Sequence, residues 1–303
     1  VLADDVPRPV LLAALASGSA RRIRRGAYLF DGPATGASRT ADDERAAALA
    51  LTQAVDRQLD GEHWFCGPTA ALVHGLPLAE LPQQVHVLTR TVPGRGASPD
   101  LVRHRATVAP TDVEIVGGLP VTSLERTVLD CARSLTAREG LVVVDAAVRR
   151  GTDRAALVRR LEGTRGRGVV RARAVLDVAD GGAESPGESL ARYTVLRHGL
   201  PAPRTQIEVA THLGRFRADM GWLPWRLLLE FDGFVKYSTL SGGDPARTLF
   251  EEKRRQEAIE EEGWRVLRVT WPDLRHDGQV AARVRRLIPD GASVPQVARP
   301  GLW

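Results

Sequence analysis

The sequence predicts two α/β domains in series, the second a mixed sheet flanked by helices. Three observations carry that prediction. A chain of 303 residues exceeds what one ordinary core buries and suits two. Residues 44–160 alternate helix-like and strand-like stretches, and residues 185–288 read in the order α-β-β-β-α-β-α. Between these regions lie the Gly/Arg-rich stretch 163–168 and a Gly-containing break at 180–183. They place the boundary between residues 165 and 184, giving domains over 1–165 and 184–303.

Composition narrows the class. Hydrophobic residues make up 43% and charged residues 26%, as in a globular protein. No apolar run approaches the roughly 20 residues that span a bilayer, so no membrane role is expected. Asp4 and Asp5 precede the short apolar stretch Val10–Ala16, the wrong charge for a secretory leader, and a cytoplasmic protein is expected. Cys66 and Cys131 are the only cysteines and lie far apart, which excludes a disulfide scaffold and a thiolate zinc site. A net charge of +5 and a pI near 9.8 mildly favour a polyanionic partner.

In chain order, Pro9–Ser17 reads as a short helix and Arg21–Leu29 as a strand entered through Arg21, Arg22, Arg24 and Arg25. A basic helix end before a strand suits either a truncated winged-helix remnant over residues 6–31 or a solvated basic turn. Residues 32–43, rich in Gly, Pro, Ala, Ser, Thr and Asp, predict a linker. Helices follow at Glu44–Leu59 and Thr69–His74, then strands at Gln84–Leu88, Val102–Arg105 and Val113–Val116. Ser123–Ala132 predicts a helix capped by the Ser123 hydroxyl. Leu141–Arg150, Arg154–Leu161 and Arg171–Val178 continue as helices.

The second domain opens with Ser185-Pro186-Gly187-Glu188, whose spacing predicts a capping box at the start of a helix reaching His198. Strands are expected at Gln206–Thr211, Gly214–Trp222 and Arg226–Asp232, a charged helix at Pro245–Glu262, a strand at Trp264–Thr270 and a helix at Gln279–Ile288. Leu227, Leu228 and Leu229 predict a strand buried on both faces, yet Glu230 and Asp232 follow on one face of it. Two carboxylates there need compensation. A divalent cation bound to oxygen is the simplest source, and ion pairs with Arg217 or Arg268 are the alternative. A four-residue loop at Leu223–Arg226 would set Asp219 across from Glu230 as a third carboxylate. Metal held by such carboxylates neutralises a phosphodiester and activates water for attack.

RRIRRGAYLF, CGPTAALVHGLPL and GLPVTSLERTVLDCAR resemble the AbiEi-type antitoxin proteins, over about half the chain. That resemblance implies an antitoxin-like domain, in a family whose N-terminal winged helix binds promoter DNA. Over residues 184–275, Glu188 followed by FRAD, LLLEFDG, KY, EEKRRQEAI and GWRVLRVTWPDL is similar to the very-short-patch-repair-like (Vsr-like) domains of the PD-(D/E)XK nuclease superfamily. This second resemblance implies a restriction-endonuclease-like mixed sheet flanked by helices. It makes Asp219 the motif Asp, Glu230 the motif Glu and Glu188 the acidic residue of the first helix. The superfamily lysine would stand two residues after Glu230, where this chain has Asp232. Lys236 and Lys253, the only lysines against 40 arginines, are candidates to project into the site instead.

The expected function is a metal-dependent DNA endonuclease or nickase in phage defence, toxin–antitoxin biology or DNA repair. Mg²⁺ or Mn²⁺ would be held by Asp219, Glu230 and Asp232, and Arg215, Arg217, Arg254 and Arg255 would meet phosphates. The alternative is a DNA-binding transcriptional regulator or antitoxin with a non-catalytic nuclease fold. A partner-binding module that neutralises a toxin is a third reading. Expected partners are single- or double-stranded DNA and a toxin or regulatory protein.

Overall fold

The computed structural model describes residues 1–30, 40–90, 98–233, 245–294, 296–297 and 299–303. It is a mixed α/β protein that divides into two compact units, Val1–Cys131 and Ala132–Trp303. Among the described residues no helix is long and apolar enough to cross a membrane.

In the first unit, helix α1 (Arg8–Ala16) leads into an antiparallel hairpin of β1 (Ala20–Arg24) and β2 (Ala27–Phe30). The single strand expected here is therefore two, because Arg25 and Gly26 turn the chain and Gly26 takes a φ of 74° that favours glycine. The four arginines are not equivalent. Arg24 pairs with Asp100 at 3.3 Å, whereas Arg22 and Arg25 are exposed. Helix α2 (Ala41–Asp56) starts inside the predicted linker, because Thr40 and Asp43 cap it reciprocally.

The main sheet of this unit has five strands in the order β5-β4-β3-β7-β6. They are β3 (His63–Phe65), β4 (Val85–Thr89), β5 (Leu101–Arg105), β6 (Val113–Val116) and β7 (Leu119–Thr122). Of the three interior strands, β3 and β7 are too short for periodicity to reveal, yet Phe65 and Val121 are fully buried. Helix α3 (Gly67–Val73) follows β3, and α4 (Leu124–Ser134) follows β7. Ser123 does not cap α4 as expected. Its buried hydroxyl has no hydrogen-bond partner among the described residues, and the Leu124 N–H donates to the Glu114 carboxylate at 2.8 Å.

The second unit begins with α5 (Ala137–Arg149), α6 (Arg154–Leu161), α7 (Val169–Val178) and α8 (Pro186–Arg197). The sequence reading placed a boundary between residues 165 and 184, whereas the compact units part at Cys131/Ala132. Packing of α5 against both α7 and α8 accounts for the difference. At that junction the Arg192 guanidinium donates to both Asp145 oxygens at 2.8 and 2.9 Å, and both side chains are buried.

A four-stranded mixed sheet completes the unit, in the order β11-β10-β9-β8. Its strands are β8 (Arg204–Thr211), β9 (Gly214–Trp222), β10 (Leu227–Asp232) and β11 (Arg265–Thr270). β8, β9 and β10 run antiparallel in turn, and β11 lies parallel to β10. A parallel neighbour demands a crossover, supplied here by helix α9 (Pro245–Glu261). Helix α10 (Asp277–Leu287) packs on α8 and β11. Leu227, Leu228 and Leu229 are fully buried, in keeping with an interior strand.

Candidate functional site

A polar cavity of about 350 Å³ opens in the second unit, lined by side chains from α8, β8, β9, β10, α9 and β11. Backbone register creates it. Trp222 pairs with Leu227, Gly221 with Leu228 and Met220 with Leu229, leaving four residues in the connecting loop. One more step would place Asp219 opposite Glu230, but the ladder ends before it. The Asp219 carboxylate instead accepts the Phe231 N–H at 2.7 Å. On the other side of Asp219, Gln206 stands between the pairs Thr205↔Met220 and Ile207↔Ala218 and takes a φ of 52°. Both neighbours of β9 are thus irregular at Asp219. That irregularity opens space in a sheet whose other positions are closed by pairing.

Glu230 is 8% exposed, and burial pushes its carboxyl above the ordinary carboxylate range. The nearby Arg255 opposes that rise and Asp219 adds to it. Arg255 donates to Glu230 Oε1 at 2.7 Å, and Arg268 Nε lies 3.6 Å from Oε2. Parallel register sets Arg268 directly beside Glu230. Glu252 closes the cluster, bonded to Arg255 at 3.2 Å and to Arg268. Two carboxylates and two guanidinium groups therefore alternate around one point.

Asp232 lines the same cavity half-buried and, among the described residues, carries no ion pair. Glu188 also faces it, but not through the expected capping box. Ser185 Oγ accepts the Glu188 N–H at 3.2 Å, while the Glu188 carboxylate accepts the N–H of Glu184 at 2.8 Å rather than that of Ser185. The structure therefore brings Glu188, Asp219, Glu230 and Asp232 to one cavity.

Lys253 is not among the lining residues. Its side chain is 74% exposed and pairs with Glu257 at 3.7 Å. Glu252 and Arg255, three residues apart, share the helix face that meets the sheet, and the position after Glu252 points away from it. Lys236 lies outside the described residues. Trp222 and Trp225 are buried with ring centroids 5.4 Å apart, and the Trp222 indole donates to the Pro201 carbonyl at 2.9 Å. They are core residues and offer no stacking platform for bases. Sequence reading missed Glu184, Gln206 and Glu252 as lining residues. It took Arg255 for a phosphate contact and named Arg268 only as an alternative ion-pair partner. The three-residue spacing on α9 was the available signal for Glu252 and Arg255.

A divalent ion requires oxygens that are free and convergent. Here both Glu230 oxygens face guanidinium groups, and Asp219 is engaged by a backbone N–H. Among the described residues no three of His, Cys, Asp and Glu come together as a metal-binding group. As arranged, the site is neutralised by arginine and does not fit a metal.

Comparison with known proteins assigns the middle of the chain. Residues 65–178 match the family described as the AbiEi antitoxin C-terminal domain, so the chain contains an antitoxin-like domain. Two uncharacterized Mycobacterium tuberculosis proteins, MT2308 of strain CDC 1551 and Rv2248 of strain H37Rv, are each 32% identical to it over 242 residues. The match covers 78% of this chain and 86% of each relative, and the chain belongs to the family of these two proteins. The crystal structure of RV2827C protein from Mycobacterium tuberculosis is similar at a TM-score of 0.36 and 18% identity, over 58% of this chain and 71% of that one.

Proposed function

We propose that this chain is a nucleic-acid-binding regulator of the antitoxin type. The observation that carries the reading is the match of residues 65–178 to an antitoxin domain family. It is supported by the helix and hairpin formed by residues 8–30, which hold Arg22 and Arg25 exposed beside a tight turn. A helix followed by a basic hairpin is the shape of a wing, and exposed arginines there meet phosphates without reading sequence. The test is binding of the full chain to a labelled duplex from upstream of its own gene, followed across salt concentrations. Arg22→Ala with Arg25→Ala is expected to flatten the salt dependence by about one unit of log–log slope per arginine. An unchanged slope removes the hairpin from the interface, and no binding at low salt removes the reading.

A second reading, phosphodiester cleavage in the second unit, is favoured by one observation: Asp219 and Glu230 line one cavity where the sheet pairing lapses. Arg217, Arg255 and Arg268 line the same cavity, and a guanidinium matches a phosphate group with two parallel hydrogen bonds. The measurement is nicking of supercoiled plasmid with Mg²⁺ or Mn²⁺ present. Wild type is expected to nick, and Asp219→Ala and Glu230→Ala are not. Equal nicking by all three assigns the activity to a contaminant and ends this reading.

A further inference from the structure

We propose that the turn between α6 and α7 is a further phosphate-contacting surface, where Arg165, Arg167 and Arg173 hold nucleic acid of any sequence. The inference rests on the nucleic-acid-binding reading and adds an interface on the second unit. The charge distribution points to it first. Residues 149–173 hold nine arginines and two carboxylates, an excess of seven in a chain whose net charge is +5. The rest of the chain is therefore slightly acidic, and the surplus that attracts a polyanion is concentrated in one short stretch.

The Gly/Arg-rich stretch 163–168, which reads in sequence as part of a domain boundary, instead connects α6 to α7 inside the second unit. Gly163, Gly166 and Gly168 take φ of 72°, 105° and 78°, so the chain turns where other residues would be strained. A Cβ at Gly168 would also stand 2.0 Å from the Arg133 carbonyl oxygen, and this close approach seats the turn against the end of α4. Arg165 and Arg167 are exposed on the turn, and neither guanidinium has a partner among the described residues. Arg173 is exposed beside them and donates to the Leu161 and Thr164 carbonyls at 3.4 and 3.5 Å. Both bonds come from one guanidinium nitrogen, leaving its other N–H donors for phosphate oxygens. Arg133 adds charge beneath the turn, its guanidinium donating to the Arg167 carbonyl at 3.5 Å. From Arg154 to Arg173 the only acidic residue is Glu162. Guanidinium groups so placed repel one another, and an external anion relieves that repulsion. The turn itself carries no apolar side chain for a bilayer to take up, whereas a guanidinium matches phosphate oxygens with two parallel hydrogen bonds. Nucleic acid fits this surface better than a membrane does.

The test compares the full chain with a charge-removing variant, Arg165→Ser with Arg167→Ser, and a charge-keeping one, Arg165→Lys with Arg167→Lys. Both side chains are free in the structure, so neither change removes a bond that the fold uses. Each protein is bound to two labelled duplexes of equal length, one from upstream of its own gene and one of scrambled sequence, between about 50 and about 200 mM salt. Each lost phosphate contact lowers the log–log salt slope by about 0.9. Over that range the charge-removing variant is expected to lose about tenfold less affinity than wild type. The effect should be alike on both duplexes, because phosphate contacts carry no sequence information. The charge-keeping variant should retain the wild-type slope. A charge-removing variant with the wild-type slope overturns the proposal and leaves binding through the hairpin standing. A charge-keeping variant whose slope falls as far also overturns it, since lost charge would not then be the cause. Phosphatidylglycerol vesicles that bind wild type and not the charge-removing variant, with the duplex slopes unchanged, would assign the turn to a membrane and overturn it too. Wild type that binds neither duplex at low salt removes the nucleic-acid reading and this surface with it.

Discussion

The second unit contains two carboxylate–arginine pairs, Asp145 with Arg192 and Glu230 with Arg255, and their surroundings differ. Arg192 is 2% exposed and Asp145 wholly buried. The guanidinium also donates to the Val178 carbonyl at 2.5 Å, and Asp145 also accepts the Asp180 N–H at 2.9 Å. These bonds join α5, α8 and the end of α7 around a pair that solvent scarcely reaches. Glu230 and Arg255 sit instead at a cavity with further carboxylates and a second arginine within reach. A pair whose partners come mostly from fixed backbone is a structural clasp. A pair with other charged groups beside it and partial access to solvent depends less on any one partner.

The comparison can be broken most directly at Asp145. Asp145→Ala leaves Arg192 charged in the core, and a loss of about 3–5 kcal/mol is expected in chemical denaturation. A loss below about 1 kcal/mol would mean that the clasp is no more structural than a surface pair. Next in size is Gly187→Ala on α8. A Cβ there would stand 2.0 Å from the Phe231 ring, next to Glu230. A cost of about 1–3 kcal/mol is expected from the forced displacement, together with weaker oligonucleotide binding if the cavity takes phosphate. A stability change without any binding change would separate the cavity from nucleic acid.

Smallest is Glu230→Gln, expected to shift stability at neutral pH by less than about 1 kcal/mol, since Arg255 can turn to solvent and to Glu252. Its pH dependence sharpens the contrast. The Glu230 carboxyl is raised in the folded state, so between its ordinary value and its folded value the folded chain holds a proton that the unfolded chain has lost. The stability of wild type relative to Glu230→Gln is therefore greatest in acid and falls as pH rises through the folded value. Denaturation of both proteins from acid to neutral pH measures it, and a flat difference would show that Glu230 titrates normally.

Much of the sheet that builds the cavity was legible in advance. The leucine run marks β10 as an interior strand, and the loop length implied by Leu223–Arg226 is the one the register shows. Glu230 and Asp232 stood out because carboxylates after such a run demand compensation. The nature of that compensation was not legible. Lys253 and Arg255 look equally available in a charged helix, and only the azimuth of α9 against the sheet sends Arg255 inward and leaves Lys253 beside Glu257. The Glu188 side chain could serve its own cap or reach further, and the entry angle of the chain at Glu184 settled it.

By itself the sequence determined the periodic elements, the two-domain α/β class and the presence of acidic residues where an apolar strand ends, because those features follow from local spacing and burial preference. Tertiary structure decided which strands are neighbours, and hence that Arg268 lies beside Glu230 and that pairing lapses at Asp219. Such facts depend on register between segments distant in the chain. A shift of one residue reverses every side chain in a strand, and no local pattern records which register the core selects.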